Sequence, residues 1–126
     1  MIRQPRQKSE AHLGFIRSLS CIVCLDNTST EAAHLRYADR KVGKRQVGKG
    51  EKPDDKWALP LCGEHHREQH AMNEREFWLQ KGINPLMVSL ALWAATGNHE
   101  LAEEIVRENS EAAFETAMRN TTAWSG

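Results

Sequence analysis

Residues 60–70, PLCGEHHREQH, put one cysteine and three of the chain's six histidines into eleven positions. That is more soft ligand than a surface helix needs. Pro60 and Gly63 mark the approach to a helix, and polar residues fill the stretch that follows. On such a helix His66 and His70, spaced i, i+4, share one face and can grip an ion together. His65 points about 100° away from His66, so one helix start can serve two different metals.

Working outward, Cys21 and Cys24 complete a C-x2-C…C-x2-H pattern with Cys62 and His65. Two short-spaced pairs can each occupy one edge of a tetrahedron, which is how structural zinc is usually held. The 37 residues between Cys24 and Cys62 become a closed loop, a staple that suits a protein with a thin core. Three cysteines are an odd number, which favours metal ligation in a reducing compartment over a disulfide framework. The competing reading makes Cys21 and Cys24 buried apolar residues and Cys62 incidental.

At 126 residues the chain is read as one domain, 1–126. Its net charge is zero, but the distribution is uneven. Residues 1–70 carry thirteen Lys/Arg against nine Asp/Glu, and residues 71–126 carry four against eight. The excess peaks at Arg40, Lys41, Lys44, Arg45, Lys49 and Lys52, in a glycine-bearing loop that suits an anionic partner. The N-terminal MIRQPRQKSEAH lacks a signal-peptide core, and PLMVSLALWAA is about half a bilayer span. A soluble, intracellular protein with no membrane partner is expected.

Ser9 caps an expected helix over 9–19, with Leu13, Ile16 and Leu19 inward. TEAAHLRY (30–37) and KWALPL (56–61) read as strands, and GEHHREQHAM as a helix. Asn73 and Glu76 form a capping pair for EREFWLQK, which Gly82 stops; Asn84-Pro85 opens a further helix that Gly97 closes. Two more helices, roughly 99–108 and 111–120, are expected, the second capped by Ser110. Phe77, Trp78 and Trp93 read as core with Leu86, Leu90 and Leu92, while His12 and His99 read as incidental polar residues.

His34 follows the cysteine knuckle and precedes the basic loop. A neutral imidazole near a divalent ion, held by a backbone carbonyl, is suited to deprotonating water. With it the sequence CIVC…EAAHLR…KPDDKWALPLCGEHHREQH, over roughly residues 18–82, resembles the HNH or ββα-metal (His-Me finger) endonucleases. Within them it looks most like small phage and prophage proteins related to recombination-enhancement nucleases. The resemblance implies an α+β fold: a ββα-metal core with structural zinc over 18–82, an N-terminal helix, and a helical extension over 83–126. It implies Cys21, Cys24, Cys62 and His65 as zinc ligands, His34 as the general base, and His66 and His70 as ligands of a catalytic ion. That ion would be Mg²⁺, or Mn²⁺, Ni²⁺ or Zn²⁺.

The sequence departs from the family pattern at Ala33, where an Asp or His usually ligates the ion. Either Asp55 or Asp39 supplies that ligand, with Asp54 as substitute, or His34 is itself a ligand, or the site has lost competence. Asp55 is favoured because it immediately precedes the second strand. Trp57 stands where many HNH sequences carry Asn. The function expected is phosphodiester hydrolysis in DNA, with Arg36 and Arg67 joining the loop cations near phosphate. Recombination proteins are possible partners, and the expected setting is bacterial cytoplasm, including a phage-infected cell. The alternative is a non-catalytic zinc module that binds nucleic acid or a recombination partner. A Cys21/Cys24 redox protein would leave Cys62 and every histidine unexplained.

Overall fold

The computed structural model describes residues 8–37 and 54–124. The basic loop, with Asp39, Arg40, Lys41, Lys44, Arg45, Lys49 and Lys52, lies outside the described residues. The described elements run α1 (Glu10–Arg17), β1 (Thr30–His34), a 3-10 turn (Asp55–Trp57), β2 (Ala58–Cys62), α2 (Gly63–Ala71), α3 (Glu74–Lys81), α4 (Pro85–Ala94) and α5 (His99–Trp124). This is an α+β fold with a small two-stranded antiparallel sheet. None of the described helices is long and apolar enough to cross a membrane.

β1 and β2 pair in the register Thr30↔Cys62 through His34↔Ala58. Every residue of β2, ALPLC, is buried, so the strand is covered on both faces. A proline inside such a strand must not sit where a ladder N–H is needed. The carbonyl of Pro60 accepts from Ile22 N–H at 3.0 Å, so that residue's backbone faces the cysteine knuckle and not β1. The missing N–H therefore costs the β1–β2 ladder nothing, and the outer edge of β2 is used to dock the knuckle.

Local chemistry sets the helix ends. The Ser9 hydroxyl accepts from His12 N–H at 3.1 Å, and Asn73 Oδ1 accepts from Glu76 N–H at 3.1 Å. Gly82 ends α3 with φ 69°, a left-handed conformation that costs glycine no Cβ clash. Pro85 stands in the first turn of α4, where its absent N–H would have no helical partner. Leu13, Ile16, Trp57, Leu59, Leu61, Phe77, Trp78 and Leu92 form the core around β2. Trp93 is half-buried, edge-on to the His12 ring at 4.7 Å.

The C-terminal segment departs from expectation. It is one helix of 26 residues, with no break at Ser110. The Ser110 hydroxyl does not cap a new helix; it donates to the Val23 carbonyl at 3.3 Å. A serine pointing at a tertiary acceptor leaves the helical ladder intact, which the linear sequence does not reveal. Glu103 on the same helix accepts from Ser20 N–H at 2.7 Å and from its hydroxyl at 3.0 Å. The acidic helix thus braces the knuckle from outside.

Candidate metal centre and the histidines around it

The knuckle is a tight turn closed by Leu25 N–H to Cys21 O at 2.8 Å and Cys21 N–H to Asp26 O at 2.8 Å. Leu25 is held at φ 66°, an uncommon conformation for a non-glycine residue. The Asp26 carboxylate accepts from Thr28 N–H at 2.9 Å and from its hydroxyl at 2.8 Å, which holds its pKa below the ordinary value. Cys62 ends β2 and is the N-cap of α2, so His65 falls at the third helical position. A cap side chain and the third helical residue naturally face each other. Cys62 Sγ and His65 Nδ1 are 3.2 Å apart.

The four groups converge: one ligand atom from each of Cys21, Cys24, Cys62 and His65 lies within 4.8 Å of all the others. Cys21 Sγ is 3.8 Å from His65 Nδ1, and Cys24 Sγ is 3.9 Å from Cys62 Sγ. A tetrahedral zinc has edges of about 3.8 Å between sulfurs and about 3.5 Å between sulfur and nitrogen, from its bond lengths. The donor set fits such an ion with small adjustments. Although Cys24 reaches the surface, desolvation by its neighbours pushes its thiol up to about 12, opposed by an Asp26 backbone hydrogen bond and reinforced by Cys21 and Cys62. A divalent cation reverses that penalty by stabilising the thiolates. The cluster has the donors and the spacing to hold a metal ion as a Cys3His site.

His34, the last residue of β1, pairs through Nε2 with Asp55 Oδ1 at 3.0 Å. Asp55 is buried, and its Oδ2 accepts from Ser9 N–H, the cap of α1, at 2.7 Å. The structure therefore groups Asp55 with His34 rather than with His66 and His70. On α2, His66 Nε2 and His70 Nε2 are 3.2 Å apart, and His66 Nδ1 meets Glu31 Oε1 of β1 at 2.7 Å. Residues 31 and 34 have opposite parity on the strand, so Glu31 and His34 leave it toward opposite faces. Among the described residues, these groups do not converge as closely as the Cys3His cluster does.

Ala33 is fully buried in the core. Trp57 is likewise core, and its N–H bonds the Asp54 carbonyl. The Arg36 and Arg67 side chains are exposed, and Arg36 N–H donates to Glu74. Two residues were missed by sequence reasoning. Glu31 gave no local signal, because its partner lies 35 positions away. His12, read as incidental, is fully buried, with Nδ1 2.7 Å from the Thr96 hydroxyl. That hydroxyl donates to the Trp93 carbonyl at 2.7 Å, so it accepts from His12 Nδ1–H. Its place three residues after the Ser9 cap, beside Leu13, was the available hint. His99 is exposed and its Nε2 meets the Ser18 carbonyl at 3.2 Å.

The geometry thus defines an α+β protein with a Cys3His cluster, at the junction of β2 and α2, that can hold a metal ion. The chain belongs to the family described as a protein of unknown function (DUF968), which it matches over residues 2–97. The match takes in the knuckle, both strands and the first four helices, and stops short of α5. Comparison with curated proteins gives no significant match, and comparison with solved structures gives none.

Proposed function

We propose that this protein is a metal-dependent DNA endonuclease of the HNH class, with a ββα-metal core stapled by structural zinc. The observation that carries the reading is the pair of His34 and buried Asp55. Asp55 accepts from His34 Nε2–H at 3.0 Å, so the neutral ring carries its basic lone pair on Nδ1. A base held by a carboxylate that is itself anchored on Ser9 N–H is fixed in tautomer and orientation. The order β1, β2, α2 and the histidine pair on α2 support the same reading.

His34 is then the general base that takes a proton from water attacking a phosphodiester. Asp55 stabilises the imidazolium formed in that step. His66 and His70 are the residues that would hold a divalent ion, which when bound supplies Lewis-acid stabilisation of the phosphate and leaving oxygen. Exposed Arg36 and Arg67, with the basic loop, contribute phosphate contacts that weaken with salt. Such an enzyme would work in bacterial or phage-infected cytoplasm, alone or with recombination proteins.

The second reading, a zinc module that binds nucleic acid without cutting it, is favoured by buried Ala33, which leaves no side-chain ligand at that position, and by β1 sending His34 and the Glu31–His66–His70 group toward opposite faces. Nicking of supercoiled plasmid and of single-stranded DNA with Mg²⁺, Mn²⁺ or Ni²⁺ decides between them. His34→Ala is expected to lose at least about 100-fold in rate while keeping its zinc and fold. DNA binding without cleavage under every metal would overturn the nuclease in favour of the module.

A further inference from the structure

We infer that Glu31 is the positioning residue that turns the His66/His70 pair into a divalent-cation site. The inference rests on the reading of these histidines given above and adds the group that orients them. Glu31 Oε1 lies 2.7 Å from His66 Nδ1. A carboxylate can only accept, so Nδ1 carries the proton and the lone pair of the neutral ring is on Nε2. That nitrogen is the one that faces His70 Nε2, at 3.2 Å.

Two ring nitrogens at that separation need either a proton or a cation between them. Cis ligands of an octahedral ion lie about 3.0 Å apart and those of a tetrahedral ion about 3.4 Å, for metal–nitrogen bonds near 2.1 Å. The observed 3.2 Å falls between the two. The rings are tilted by 41° with centroids 4.8 Å apart, so an ion can replace the bridging proton with little movement of α2. A carboxylate on the far nitrogen of a ligating histidine fixes its tautomer and raises its basicity.

The fold delivers this arrangement from two directions. β1 brings Glu31 beneath the start of α2; a Cβ at Gly63 would sit 3.7 Å from Glu31 Oε2. The carboxylate therefore lies at the positive end of a nine-residue helix. His66 is about one-fifth exposed and His70 is exposed, leaving the ion's other positions open to water or an anionic ligand. The ligand class is a hard or borderline divalent cation carrying a phosphate oxygen.

The test is Ni²⁺ binding to untagged, zinc-loaded protein by calorimetry, with long-range ¹H–¹⁵N spectra of the histidine rings before nickel is added. One further ion should bind the wild type, and His66 should show a protonated Nδ1. Glu31→Ala should weaken that second ion about 10–100-fold without loss of zinc, Glu31→Gln should recover part of the affinity, and His70→Ala should abolish it. Equal second-ion affinity in Glu31→Ala, or no second ion in the wild type, would overturn the inference. Glu31-dependent nickel binding in a protein that cuts no DNA would uphold it while the nuclease reading fails.

Discussion

At the scale of single residues, Asp55 does more than its place in the sequence suggests. It is a buried carboxylate with Ser9 N–H on one oxygen and the His34 ring on the other. Hydrogen bonds to an ionised group are worth about 1.5–3 kcal/mol, and an unpaired buried donor costs a similar amount. Asp55→Ala should therefore destabilise the zinc-loaded protein by about 2–3 kcal/mol in urea unfolding, and Asp55→Asn by less. A loss under about 0.5 kcal/mol would mean that the pair contributes little to holding α1 against the sheet. Asp55 stood out in the sequence as a candidate ion ligand because it precedes β2. Its pairing was not, since both partners are distant in sequence.

At the scale of elements, α1 carries a pH-sensitive contact. Burial holds the His12 pKa below its ordinary value, with Asp55 opposing and His34 reinforcing the shift. Below about pH 6.5 the unfolded chain then binds more protons than the folded one. The contribution of the neutral ring is intact above that pH and is lost as pH falls from it toward the lowered folded value. With zinc in excess, the stability difference between wild type and His12→Gln should shrink between about pH 7.5 and pH 5.5. A flat difference would assign the acid sensitivity elsewhere. The helix itself was readable from its cap and its apolar spacing. The burial of His12 depended on α4 supplying Trp93 and the turn after it supplying Thr96.

At the scale of the whole molecule, the Cys3His cluster ties knuckle, sheet and α2 together, and α5 braces it through Glu103 and Ser110. A structural ion in such a place contributes directly to folding. Chelation should lower the thermal midpoint by at least about 10 °C, and Cys62→Ser, at a buried ligand, should behave like the chelated wild type. An unchanged midpoint after complete metal removal would show that the cluster is not a structural metal site.

Spacing by itself determined the metal cluster. C-x2-C and C-x2-H each close within one turn, so local geometry presents both pairs whatever surrounds them. The caps at Ser9, Asn73 and Asn84 and the stop at Gly82 were equally local and equally legible. Only the tertiary structure decided that Asp55 belongs to His34, that Glu31 belongs to His66, and that Ser110 reaches the knuckle instead of starting a helix. These are pairings between elements, set by the β1–β2 register and by where the helices pack. A side chain's nearest partner across 20 to 90 positions is fixed by that packing, and no local pattern in the chain records it.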